Sequence, residues 1–229
     1  MFSKFAWPLL LFLAPAHAFA DAPPAVGVLP IPVEFARPFV VHDFGQDLEP
    51  ACVAVYLNET VSADFYAPVA ANVELADDLH TTLVDAQLLC GFDLAYYKPG
   101  EGLVDATVTF YGNTPIDPDR GAVLAGPYVV HGLPAGLNAF HIEVAGDVLQ
   151  GDLWMGVAFS DGLTGLLCFG PPTLGTSHDA VWVTPPEFPS GFASDFGGNP
   201  EANLFLAVYT SPTTPARAAT WGTMKAHYR

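Results

Sequence analysis

The stretch Gly151–Trp182, GDLWMGVAFSDGLTGLLCFGPPTLGTSHDAVW, decides the fold class. Gly, Asp and Pro turns divide it into three short apolar runs: Leu153–Phe159, Gly165–Phe169 and Ala180–Val183. Each is a strand by length and by its bounding turn residues, and none carries the spacing of an amphipathic helix. In the first run Leu153, Met155, Val157 and Phe159 share one face, while Trp154 and Ala158 make the opposite face apolar too. A strand of that kind sits in the middle of a sheet, covered on both sides.

The same grammar extends outward. Val84–Tyr97 is the longest alternation in the chain, with Val84, Ala86, Leu88, Cys90, Phe92, Leu94 and Tyr96 on one face. Lys98-Pro99-Gly100 reads as a turn. Val104–Tyr111 then repeats the pattern, with Val104, Ala106, Val108 and Phe110 inward. Phe39–Phe44 reads as an edge strand, Cys52–Leu57 and Ala63–Tyr66 as early strands, and Leu75–Leu79, with Asp77-Asp78, as a polar break. Val123–Val130 and Phe140–Val144 follow as two more strands. Pro185–Pro200 is a Gly/Pro/aromatic loop and Leu204–Tyr209 a closing strand. About ten short strands at roughly 8–12-residue spacing predict an all-β, antiparallel β-sandwich of jelly-roll or Greek-key type. Nothing supplies the crossover helices of a parallel sheet.

The first twenty residues read as an export leader. Lys4 precedes the apolar Phe5–Leu13, Pro15 breaks that run, and Ala16-His17-Ala18 and Ala18-Phe19-Ala20 offer small-x-small cleavage sites. The apolar run falls short of the roughly 20 residues of a membrane span. The expected organisation is therefore a signal peptide over 1–20, a Pro-rich lead-in over 21–38, a β-domain over 39–210 and a linker with a basic aromatic tail over 211–229. The expected place is outside the cell or at its surface, the periplasm included. Without Lys4, six basic residues face 24 acidic ones. Such a surface repels nucleic acid and anionic lipid, whose binding needs clustered Lys and Arg, so nucleic acid is excluded as a partner and no membrane span is expected after cleavage. Acidity also keeps soluble a chain that is 51% hydrophobic and only 14% charged. Three cysteines, Cys52, Cys90 and Cys168, remain after cleavage, and one disulfide among them, by any of three pairings, suits an oxidising compartment.

The candidate chemistry is thin. Ser177-His178-Asp179 holds the triad residue types, but neighbours on a strand point to opposite faces and form no relay with one another. The histidines are scattered, without H-x-H or H-E-x-x-H, and zinc lacks its local signature. Asp77, Asp78, Asp117 and Asp119 are hard oxygen donors of the kind calcium takes, but without a calcium-loop motif turn and strand-end chemistry is the favoured reading of them. No other cofactor is indicated. Trp182, Phe188, Phe192 and Phe196 could stack on sugar rings or fold back to cap the sandwich.

Ala76-Asp77-Asp78-Leu79, a strand ending Tyr96-Tyr97, Ala106–Tyr111 (ATVTFY), LWMGVAF, Leu166–Gly170 (LLCFG) and Gly175–Trp182 (GTSHDAVW) occur in a familiar order. Over Val73–Tyr209 the chain resembles a β-sandwich module that recurs in exported proteins of environmental bacteria and has no settled activity. Trp221-Gly222, Lys225 and Tyr228-Arg229 similarly resemble short C-terminal tails of such proteins, which implies recognition of Trp221–Arg229 by export or anchoring machinery. The expected function is a non-catalytic structural or interaction module with a surface protein or polysaccharide as partner. The alternatives are a carbohydrate-binding module assisted by calcium, and a hydrolase on the same scaffold.

Overall fold

The computed structural model describes residues 27–31, 52–58, 65–113, 120–144, 146–196 and 203–212. The residues read as a leader, most of the expected lead-in, the expected edge strand over 39–44, Asp117, Asp119 and the expected tail over 221–229 lie outside them. The described residues form no helix. They form β1 (Leu29–Pro30), β2 (Val53–Leu57), β3 (Phe65–Pro68), β4 (Glu74–Leu79), β5 (Gln87–Asn113), β6 (Arg120–Glu143) and β7 (Val148–Leu149). Then come β8 (Leu153–Phe159), β9 (Gly165–Phe169), β10 (Val181–Thr184), β11 (Phe192–Ser194), β12 (Asn203–Leu204) and β13 (Leu206–Pro212). All pairings are antiparallel and belong to one sheet, in the order β1-β3-β9-β5-β8-β4-β10-β11, with β13 bridging β5 and β2.

Two strands are far longer than the sequence pattern predicts. β5 runs for 27 residues and β6 for 24, paired along most of their lengths. Phe92 and Phe110 lie on the same strand, and a straight strand would set them roughly 60 Å apart. Their ring centroids are 5.5 Å apart. The strand therefore doubles back, and the corner is Lys98–Leu103, where the register with β6 slips between Lys98↔Gly136 and Leu103↔Pro134. Gly100 and Gly102 take φ of 75° and 90° there, a region closed to most side chains. Lys98-Pro99-Gly100 is thus a kink within one strand and no hairpin turn. The reason is that β6 follows β5 around the corner, so pairing resumes with the same partner at Leu103. The expected separate strands Val123–Val130 and Phe140–Val144 fuse into β6 for the same reason. The expected all-β, antiparallel fold is present, with the described strands joined in one curled sheet whose two halves face each other.

The faces follow the alternation wherever no bulge intervenes. Val104, Ala106, Val108 and Phe110 meet Leu153, Met155, Val157 and Phe159 in the core. The start of β5 departs from expectation. Tyr209 pairs Gly91 but Thr210 pairs Leu89, so Cys90 is an extra residue in the ladder. That bulge inverts the phase, with Leu89 in the core and Leu88 only half-buried, while Val84 lies in the bend before β5 and is 88% exposed. β8 lies between β5 and β4, and its outer face buries Trp154 against Ala76, Tyr111 and Trp182. Leu75–Leu79 is no polar break. It is the body of β4, held between β8 and β10, with Asp77 and Asp78 buried.

Cys52 and Cys90 form a disulfide with Cα atoms 6.2 Å apart, joining the residue before β2 to β5, and Cys168 is a buried thiol. Asn58, the first residue of an Asn-Glu-Thr sequon, is fully buried, and its amide donates to the Leu204 carbonyl. It offers no room for a glycan.

Candidate metal centre

Asp78 and His80 lie two residues apart at the end of β4, a spacing that puts both side chains on one face of an extended chain. The segment that runs into β10 is drawn alongside by backbone bonds. His80 N donates to Thr176 O at 2.8 Å, and Thr176 N to His80 O at 3.0 Å. Gly175 makes this approach (φ 80°), since a Cβ there would lie 2.5 Å from the His80 carbonyl oxygen. Ser177 and His178 follow directly. The His178 backbone N–H donates to Asp78 Oδ1 at 3.1 Å, which fixes where its imidazole starts.

Three donor atoms converge as a result. His178 Nδ1 lies 2.7 Å from Asp78 Oδ2, His80 Nε2 lies 2.9 Å from His178 Nδ1, and His80 Nε2 lies 3.3 Å from Asp78 Oδ2. The two imidazoles cross edge to face at 87°. Asp152, in the turn before β8, reaches the other side of His80, with Oδ2 2.9 Å from Nδ1. A carboxylate only accepts, so Nδ1 of His80 carries the proton and, in the neutral ring, the Nε2 lone pair faces the triangle.

Beneath the triangle, Ser177 Oγ lies 3.0 Å from Asp77 Oδ1 and 2.9 Å from Asp78 Oδ1. Asp77 is fully buried, and burial pushes its pKa well above the usual carboxylate range despite the bond that its Oδ2 accepts from Leu204 N at 2.8 Å. Asp78 Oδ1 is tied down by Ser177 Oγ and the His178 N–H, and its Oδ2 is turned to the imidazoles.

The residues singled out from the sequence fall in different places. Asp77 and Asp78 are at this site, as strand residues and not as loop ligands. Ser177 bonds carboxylates and no imidazole, so Ser177-His178-Asp179 is not arranged as a nucleophile relay. Trp182 is buried against Trp154, Phe192 and Phe196 pack against the core, and Phe188 is half exposed with its centroid 6.5 Å from Phe192. They present no shared stacking platform. Sequence reading singles out none of His80, His178 and Asp152 as a ligand: His178 enters only as a triad residue type, and the histidines are too scattered along the chain to signal zinc, the Asp78-Leu79-His80 spacing apart.

A second polar group sits on the same outer face. Glu74 accepts from Tyr111 and pairs with Arg120, which lies 4.0 Å over the Tyr111 ring and donates to Thr184 Oγ1 at 2.9 Å. Burial pushes the Glu74 carboxyl up, and Arg120 and Tyr111 offset this only in part. Every charge there is met by the protein. The Asp78–His80–His178 cluster differs in holding two nitrogen donors and one oxygen within reach of a single ion. No protein-family model matches the chain, no curated protein matches it, and no solved structure matches it. The site is read from its own chemistry.

Proposed function

We propose that this is an exported, non-catalytic β-protein that works by binding, and that the ligand taken at the end of β4 is a cation. The observation that carries the reading is the convergence of Asp78 Oδ2, His80 Nε2 and His178 Nδ1 from segments 98 residues apart in the chain. Donors brought together over such a distance, with their own orienting partners Asp152 and Ser177, resemble a built binding site more than a surface coincidence. The formal charge of −17 favours cations over anions throughout the field of the molecule. Export rests on the leader-like N-terminus, on the disulfide and on the likeness of Val73–Tyr209 to exported bacterial β-modules. A sugar ligand has less behind it, because Trp182 is only 4% exposed.

Calorimetric titration of the purified protein with calcium, magnesium and zinc salts, beside a glycan array, tests this. The expected result is saturable one-to-one binding of a cation, abolished by a chelator, with a blank array. A flat response to all three cations would overturn it, and specific glycan binding beside that would favour the sugar reading.

A further inference from the structure

We infer that the cation is a single borderline transition ion of the zinc class, ligated by Asp78 Oδ2, His80 Nε2 and His178 Nδ1, with Asp152 orienting His80. This rests on the cation-binding reading above and names its ligand. Donor chemistry makes the choice. Calcium takes six to eight oxygens and magnesium an octahedron of them, whereas this cluster offers two imidazole nitrogens and one carboxylate oxygen. Two His and one carboxylate with positions left over is a donor set that zinc and its neighbours accept.

Geometry agrees. The donor triangle has edges of 2.7, 2.9 and 3.3 Å. Bonds of about 2.0–2.1 Å from its corners meet roughly 1 Å above its plane, and tetrahedral angles need the edges to open only to about 3.3 Å. Without an ion, the Nδ1 proton of His178 bridges Asp78 Oδ2 and the His80 lone pair. When the ion takes that place, the single hydrogen of the neutral ring shifts through water from Nδ1 to Nε2, which leaves the Nδ1 lone pair for the metal. His178 is 72% exposed on its side chain and His80 26%, so the remaining coordination positions face water.

The supporting shell is already in place. Asp152 fixes the His80 tautomer, and Ser177 with the His178 backbone N–H holds the second oxygen of Asp78. His178 arrives on the segment anchored by Gly175 and Thr176, so the ion also staples that segment to β4.

The test is titration of the full chain with zinc by calorimetry and with Co(II) by visible absorption. One equivalent of zinc should bind, and Co(II) should give the intense ligand-field bands of a low-coordinate nitrogen–oxygen site that zinc then bleaches. His80→Ala and His178→Ala should each abolish both signals. Asp152→Asn should weaken zinc binding about 10- to 100-fold. His178 is exposed, and an unchanged metal-free unfolding curve confirms that His178→Ala folds. Zinc binding that survives His178→Ala, or calcium binding as tightly as zinc, overturns the assignment while leaving cation binding intact. Failure of every cation to bind sinks both.

Discussion

Two His–Asp clusters in this molecule use the same side chains to opposite ends. In the first half of β5, Asp93 is clamped between elements. Its Oδ1 lies 2.5 Å from His141 Nδ1 on β6, and its Oδ2 accepts from the Tyr209 hydroxyl of β13 at 2.7 Å. Both oxygens are engaged by protein, and the Asp93 and His141 side chains are 3% and 6% exposed. At the end of β4, two imidazoles converge on a single oxygen of Asp78 with one ring open to solvent. The difference is one of closure. The Asp93 cluster fixes how β5, β6 and β13 lie together, whereas the Asp78 cluster has donors in excess and a side left open, which is what a ligand requires.

The sharpest way to break the comparison is to remove each carboxylate. Asp93→Ala removes a buried acceptor shared by His141 and Tyr209 and should cost about 3–5 kcal/mol in urea melts, while leaving zinc affinity unchanged. A loss of zinc binding there would show that the clusters are not independent. Next in size is the ligand effect on stability. Zinc at a hundred times its Kd should add about 2.7 kcal/mol to the wild-type protein and nothing to His80→Ala. Then comes Asp152→Asn. The same tenfold to hundredfold weakening should appear as a rise in dissociation rate, with metal-free stability altered by less than about 1 kcal/mol, because the pair that it breaks is exposed.

The smallest effect concerns a pair of intermediate exposure, Lys98–Asp161 at 2.9 Å, which fastens the corner of β5 to the turn after β8. Partial burial raises the Asp161 carboxyl, but Lys98 and the backbone N–H groups of Thr164 and Leu163 outweigh it and bring the pKa down to about 2. A carboxyl lowered on folding stabilises the protein above its unfolded pKa. That contribution, about 1 kcal/mol after solvent screening, should fade as pH falls from about 4 toward 2. Asp161→Asn should flatten that part of the acid-denaturation curve. An unchanged curve would show that the corner does not depend on this pair.

Edge control is a further contrast within the sheet. Among the described strands β6 pairs with β5 alone, a long open edge by any measure. Five register slips, Pro127 and Pro134 interrupt it, and Asn138 donates to the carbonyls of Pro134 and Ala135. Bulges and prolines of this kind discourage a further strand from adding on.

Strand content, antiparallel pairing and the inner faces of β8 and the second half of β5 were all legible in the chain. Val104–Phe110 and Leu153–Phe159 alternate without interruption, and period-two burial needs no knowledge of neighbours. Composition likewise determined the acidic surface. What only the tertiary structure decided lies where partners override local pattern. The bulge at Cys90 is a mismatch against β13, so Val84–Cys90 alone gives no sign that its phase will invert. The Lys98–Leu103 kink resembles a turn until β6 is seen to follow it round. Asp77-Asp78 reads as polar until β8 and β10 enclose it. The metal-type cluster is the extreme case. Asp78 and His80 share a face by local spacing, but His178 reaches them only through backbone pairing across 98 residues. A coordination shell is a meeting of side chains in space, and chain spacing records only the part that one strand supplies.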